Sequence, residues 1–261
     1  MRIVRFTPGP DAGLGQDPLF GVLEDDGIIS IISGDPIYSG IQKTAATIEL
    51  NKVRLLAPII PRSKVVCIGK NYADHAAEMG GVVPDEPIIF LKPNTSVIGP
   101  NDTIVWPEMS ERIDHEAELA IVIGRICKDV PKERVNDVIF GYTIANDVTA
   151  RDLQKKDGQW TRAKSFDTFC PIGPWVDTDF VPGTQKITAV IAGEVKQSAQ
   201  ISDMIFDVPT IINFVSRVMT LLPGDIILTG TPAGIGPMVA GEKATRTIEG
   251  LGELTNKVSA Q

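Results

Sequence analysis

Hydrophobic positions along this chain fall in short runs, most of them alternating, and Gly, Pro, Asn or Asp closes nearly every one. That spacing predicts strands. MRIVRF and FGVLEDDGIISI open the chain as β-like pieces, followed by a polar run and KVRLL. Residues 1–57 therefore read as a small N-terminal β domain. Pro58 and Pro61 in APIIPRSK mark a linker into a second domain over 58–261. There KVVCIG reads as a buried strand and NYADHAAEMGG as a short helix with a Gly stop. IIFLKP and TIVWP are strands closed by Pro. PKERVNDVIFGYTIANDVTARDLQKKDG predicts a short helix, the strand VIFGYTIAN and a helix opening at about Thr149. KITAVIAG and DIILTG flank the helix DVPTIINFVSRVMTLL. Strands outnumber helices and do not alternate with them in βαβ fashion, so the expected class is α+β, mainly β, with helices at the edge.

One stretch departs from the usual alternation. IDHEAELAIVIG places Ile113, His115, Ala117 and Leu119 on one face and Asp114, Glu116 and Glu118 on the other, where Ala120 and Val122 follow. Like charges on one face of a strand repel. Glu116 and Glu118 are two residues apart, so their Cα atoms lie about 6.6 Å apart with side chains pointing the same way. Two such carboxylates suit a shared cation, and Asp147, at the end of VIFGYTIAN, is the candidate third ligand. Three oxygen donors with open positions suit Mg²⁺ or Mn²⁺. A solvated acidic strand end fits the same residues.

Composition narrows the classes. Of 261 residues 43% are hydrophobic, enough for a sizeable core, and 33 acidic against 25 basic residues give a net charge of -8. That balance argues against nucleic acid or an anionic membrane as partner. No apolar run approaches the roughly 20 residues of a membrane span. The start meets Pro and Gly before any signal-like apolar run forms. Cys67, Cys127 and Cys170 show no paired spacing, which fits a reducing cytoplasm. With only His75 and His115, a multi-histidine zinc site is not expected.

His75 and Glu78 stand at i and i+3 on the short helix, as an acid/base pair or as a surface pair. Asp74 caps that helix at most. His115 points away from the carboxylates and reads as packing. Lys164 and Lys92 lie in apolar or small-residue segments and either polarise an oxyanion or reach the surface. TGTPAGIG offers hydroxyls and N–H groups that suit a carboxylate, or it is only a turn.

Together the segments CIGKNYADHAAEMG, IIFLKPNTSVIGP, IDHEAELAIVIGR, FGYTIANDVTARDLQ, RAKSFDTFCPIGPW and GDIILTGTPAGIGP resemble the fumarylacetoacetate hydrolase (FAH) family, in the family's order. The resemblance implies a mixed β-roll core, a small N-terminal β domain, a short helical lid at about 72–86 and a homodimer. It implies that Glu116, Glu118 and Asp147 bind Mg²⁺ or Mn²⁺ and that His75 and Glu78 form the acid/base dyad. It implies that Lys164 faces the reacting oxygens and that Gln154 and Thr231 contact a substrate carboxylate. The implied substrate is a 2-oxo acid that passes through an enolate. Decarboxylation of a small 2-oxo dicarboxylate such as oxaloacetate is the first expectation, because the lid loop EMGGVVPDEP is short. Isomerisation of 2-hydroxyhepta-2,4-diene-1,7-dioate, or the matching decarboxylation in aromatic catabolism, is the second, and acylpyruvate hydrolysis the third. A non-catalytic ligand binder fits the intact set of His75, Glu78 and Lys164 poorly.

Overall fold

Runs rich in Ile and Val pair into one large sheet that carries the site at the ends of its central strands. In the computed structural model, which describes residues 1–259, Val65–Gly69 lies parallel to Ile226–Leu228, and the latter pairs antiparallel with Ala117–Ile123. From there the sheet runs through Ile139–Asn146, Cys170–Asp177, Arg2–Pro8, Leu19–Leu23 and Ile28–Ile32 to Lys43–Glu49, and Ile88–Lys92 forms its other edge. The N-terminal strands continue this sheet through Arg2 opposite Asp177 and Ile3 opposite Val176.

A second sheet runs in the order Glu194–Gln200, Lys186–Ile191, Lys243–Ile248, Gly252–Val258 and Thr103–Ile104. The two sheets share a core in which Leu119, Ile121 and Ile123 join Ile187, Ala189, Ile248 and Leu254. These are the apolar positions of the stretch that begins with the acids, so period-two alternation fixes which face meets the core and which meets the site. Helix Val208–Val218 adds Ile211, Ile212 and Val215 to that core. Asp207 caps it by accepting from Thr210 N at 2.9 Å, with Pro209 in the first turn. The architecture is the mainly β, α+β roll expected. Among the described residues no helix is long and apolar enough to cross a membrane.

Local differences from the sequence reading have simple causes. Lys43–Glu49 lies in the run read as polar: it is an edge strand, mostly exposed, with no apolar face to announce it. The hairpin Lys243–Ile248 and Gly252–Val258 alternates weakly because its buried positions include Arg246 and Asn256. The helix expected at about Thr149 begins at Arg151, since Thr149 and Ala150 pair with Asp114 and Ile113.

Arg246 is fully buried in this hairpin without a carboxylate among the described residues. Its guanidinium donates to Ala244 O at 2.6 Å and to Met238 Sδ at 3.5 Å, and Nε has no partner. Burial pulls it down to about 9. An ion buried without its counter-charge is destabilising. Arg246→Met should therefore raise the melting temperature by at least about 2 °C, taking roughly 1 kcal/mol as the lower bound. A lower melting temperature in calorimetry would show that the two hydrogen bonds outweigh the burial cost.

Candidate active site

The acidic stretch is not one strand. Ile113–His115 sits in a small sheet with Thr149–Ala150 and Gly236–Pro237, Ala117–Ile123 sits in the large one, and Glu116 falls at the break. Asn146 Oδ1 accepts from Glu116 N at 2.9 Å, and Asp147 N donates to Glu116 O at 2.9 Å. These bonds hold Asp147, at the end of Ile139–Asn146, level with Glu116. Glu118 lies one pleat along. Gly230, just past Ile226–Leu228 and at φ 96°, gives its N–H to Glu118 Oε2 at 2.6 Å. A Cβ there would come 2.6 Å from Asn71 Cβ, so the close approach requires glycine.

Glu116, Glu118 and Asp147 each place a carboxylate oxygen within 4.8 Å of the other two, and all three are buried. Lys164 Nζ bridges Glu116 Oε2 at 2.8 Å and Asp147 Oδ2 at 2.5 Å, over the Phe90 ring. Arg151 reaches Glu116 Oε1 at 2.5 Å and Asp114 Oδ2 at 2.9 Å. Asp114 is thus neutralised by Arg151 and by Arg112 at 2.8 Å. Lys92 takes neither role open to it: its buried ammonium pairs with Asp147 Oδ1 at 2.7 Å and donates to the carbonyls of Val148, Phe169 and Lys164. It ties the segments that carry Asp147 and Lys164 together.

The electrostatics are uneven. Burial alone would raise the Glu116 carboxyl, but Lys164 and Arg151 outweigh it and hold the group well below the usual range. Burial, followed by the charges of Asp147 and Glu116, pushes Glu118 well above that range. Burial would lower Lys164, yet Asp147 and Glu116 raise it to about 12. Of the four buried carboxylates, Asp114 is paired with Arg112 and Arg151, Glu116 with Arg151 and Lys164, and Asp147 with Lys164 and Lys92, which leaves a local excess of negative charge where no ion pair forms. That excess lies at Glu118, whose carboxylate receives one N–H and no cation. The set fits a divalent cation by charge and by its all-oxygen donors.

His75 and Glu78 lie on helix Ala73–Glu78, and His75 lines the same pocket. His75 Nδ1 is 3.2 Å from Glu78 Oε2, and Glu78 accepts from Gly234 N at 3.1 Å, which pins this helix to the turn after Ile226–Leu228. Gln154 and Thr231 also line the pocket. Gln154 Oε1 accepts from Arg151 at 2.7 Å, so its amide NH₂ is the group left for a ligand. The Thr231 hydroxyl is engaged within the protein: it donates to Ala117 O at 2.8 Å and accepts from Gln197 at 2.8 Å, so its proton is committed. His115 packs as expected, with Nδ1 3.1 Å from Gln197 Oε1, and burial together with Arg246 pulls it down to about 4. The sequence reading passed over Arg151 and Gln197. The signal for Arg151 was Asp114, an acid on a strand with no assigned partner.

A mainly β roll here buries three carboxylates and an ammonium at the floor of one pocket, and the three carboxylates are placed so that they could hold a metal ion. The chain belongs to the fumarylacetoacetate hydrolase family: residues 64–259 match the Fumarylacetoacetate (FAA) hydrolase C-terminal family, and residues 1–58 match the Rv2993c-like N-terminal family. It is similar to the crystal structure of 5-carboxymethyl-2-hydroxymuconate delta-isomerase from Mycobacterium smegmatis, with 47% identity, a TM-score of 0.91 and 100% of both chains covered. It is 39% identical to the mitochondrial oxaloacetate tautomerase fahd2 of Xenopus laevis, over 99% of this chain and 90% of that one. The maleylpyruvate hydrolase from Sphingobium sp. SYK-6, solved with manganese(II) and pyruvate, is 32% identical with a TM-score of 0.80 over 99% of both chains.

Glu118 supplies a test that separates charge from shape. Because its carboxyl is raised, folding takes up a proton, and the metal-free fold loses stability as pH climbs from 4.5 through the raised value. Glu118→Gln keeps the volume and removes that loss. At pH 8 the metal-free variant should melt above the wild type, with the gap closing near pH 4.5. Its Mn²⁺ affinity by calorimetry should fall at least about tenfold. A lower melting temperature with unchanged Mn²⁺ affinity would remove Glu118 from the cation site.

Proposed function

We propose that this chain is a divalent-metal-dependent enzyme that forms and protonates the enolate of a small 2-oxo dicarboxylate, with oxaloacetate as first candidate and Mg²⁺ or Mn²⁺ as the metal. The observation that carries this reading is one buried cluster: the Glu116, Glu118 and Asp147 carboxylates with the Lys164 ammonium between two of them. The oxaloacetate tautomerase relative and the hydrolase solved with manganese and pyruvate support it.

Glu116, Glu118 and Asp147 would hold the cation, which supplies Lewis acidity toward the carboxylate and oxo oxygens of such an acid. Lys164, held between Glu116 and Asp147, sets a positive charge where an enolate oxygen gains negative charge. His75 turns Nδ1 to Glu78, which leaves Nε2 to take or return a proton at C3. Glu78, held by Gly234, fixes the ring against the turn 229–236. Gln154 offers its amide NH₂ to the substrate carboxylate. Ile68, Phe90 and Trp160 line the rest of the pocket, where they limit water around the base.

Proton movement at C3, the keto–enol interconversion of oxaloacetate, is the first reading, because an oriented histidine is what that step needs. Loss of CO₂ from C4 breaks the C3–C4 bond and leaves the enolate of pyruvate, with its charge on the same C2 oxygen and C3 then taking a proton, and is the second. There the electron pair of the broken bond moves to the oxo oxygen, where the Lys164 charge would stabilise it, and no base is required.

His75→Ala separates the two. Tautomerisation, followed by the enol absorbance, should fall by about 10²–10⁴-fold. Decarboxylation with Mn²⁺ should stay above the free-metal rate, down by about ten- to a hundredfold, the share that proton delivery contributes. Equal retention of both activities would mean that His75 is not the base. Equal and complete loss would mean that it anchors substrate or the closed helix instead.

A further inference from the structure

Lys164 and Arg151 line the pocket but are held by Asp114, Glu116 and Asp147. Lys70 lines it too, half-buried, and forms no hydrogen bond or ion pair among the described residues. It directly follows the strand Val65–Gly69 and precedes Asn71, whose side chain donates to Thr229 O at 2.7 Å and to Phe206 O at 3.0 Å and accepts from Phe206 N at 2.8 Å. Between these two anchors Lys70 is forced to φ 55°, a left-handed conformation that costs a residue with a Cβ and favours glycine. Its ammonium lies beside the turn that ends helix Ala73–Glu78. A Cβ on Gly81 would stand 2.7 Å from Nζ, so the glycine leaves the space that the ammonium uses. Met79 and Trp160, also half-buried, complete this outer part of the wall and carry no charge.

We infer that Lys70 is the specificity residue for the second carboxylate of the substrate: it selects 2-oxo dicarboxylates over 2-oxo acids that end in an apolar group. The inference rests on the reading of the floor as a 2-oxo acid site. With the C1 carboxylate and oxo oxygen toward Glu116, Glu118 and Asp147, the far end of the molecule points to the half-buried rim. There Lys70 is the cation without a partner among the described residues, and Met79 and Trp160 offer a carboxylate nothing. A half-buried ammonium facing a carboxylate in a low-dielectric pocket gives a charge-assisted contact worth about tenfold in affinity. A backbone strain retained between two fixed anchors is common where a side chain serves the site.

Two unreactive ligands that differ only at the far end provide the test: malate, which ends in a carboxylate, and 2-hydroxybutyrate, which ends in a methyl. Calorimetric titration of the Mn²⁺-loaded protein reads both, with oxalate as a ligand for the floor alone. The wild type should bind malate about tenfold tighter than 2-hydroxybutyrate. Lys70→Met should reduce that ratio to within about twofold, Lys70→Arg should keep most of it, and oxalate affinity should stay within about twofold in both. If Lys70→Met keeps the malate preference, or the wild type has none, the inference is overturned while oxalate binding leaves the site reading intact. If oxalate fails to bind the wild type, the site reading falls and the inference with it.

Discussion

Glu116, Glu118 and Asp147 bring three carboxylates together where water cannot screen them, and the surrounding chain is arranged around that repulsion. Each carboxylate meets a different solution. Glu116 has Lys164 and Arg151. Asp147 has Lys164 and Lys92. Glu118 has only the Gly230 N–H. The imbalance collects at one carboxylate, and a divalent cation bound among the three would relieve it there. In the metal-free chain the same imbalance is carried as a raised carboxyl.

The fold makes this arrangement possible by ending strands rather than continuing them. The break at Glu116 lets one segment serve two sheets, and the bond from Asp147 N to Glu116 O keeps the two acids level. Lys92 acts as a buried tie, its ammonium shared among three carbonyls and Asp147. Above the floor, Glu78 couples the short helix to Gly234, so His75 and the turn beside it are positioned together.

Much of this was legible in the sequence where period-two alternation and charge spoke together. Ala117–Ile123 reads as a strand with a buried face, and the two glutamates on its other face pointed to a shared site; Asp147, named from the end of the neighbouring strand, lies there. The helix with His75 and Glu78 reads from its formers and its Gly stop. What stayed hidden depends on contacts distant in sequence. Nothing local shows that Lys92 meets Val148 and Phe169, that Arg151 reaches back to Asp114, or that Gln197 occupies the Thr231 hydroxyl. Lys43–Glu49 and Lys243–Ile248 were silent because an exposed edge and a buried arginine each blur the alternation.

The central claim is that this cluster generates an enolate and that His75 controls proton delivery to one face of it. The most direct measurement adds enol-oxaloacetate to the Mn²⁺-loaded protein in D₂O and traps the keto product at once by reduction to malate. The position of deuterium at C3 is then read by NMR. Delivery by a fixed imidazole places deuterium on a single face of C3. A product labelled equally on both faces, as in buffer alone, would contradict it.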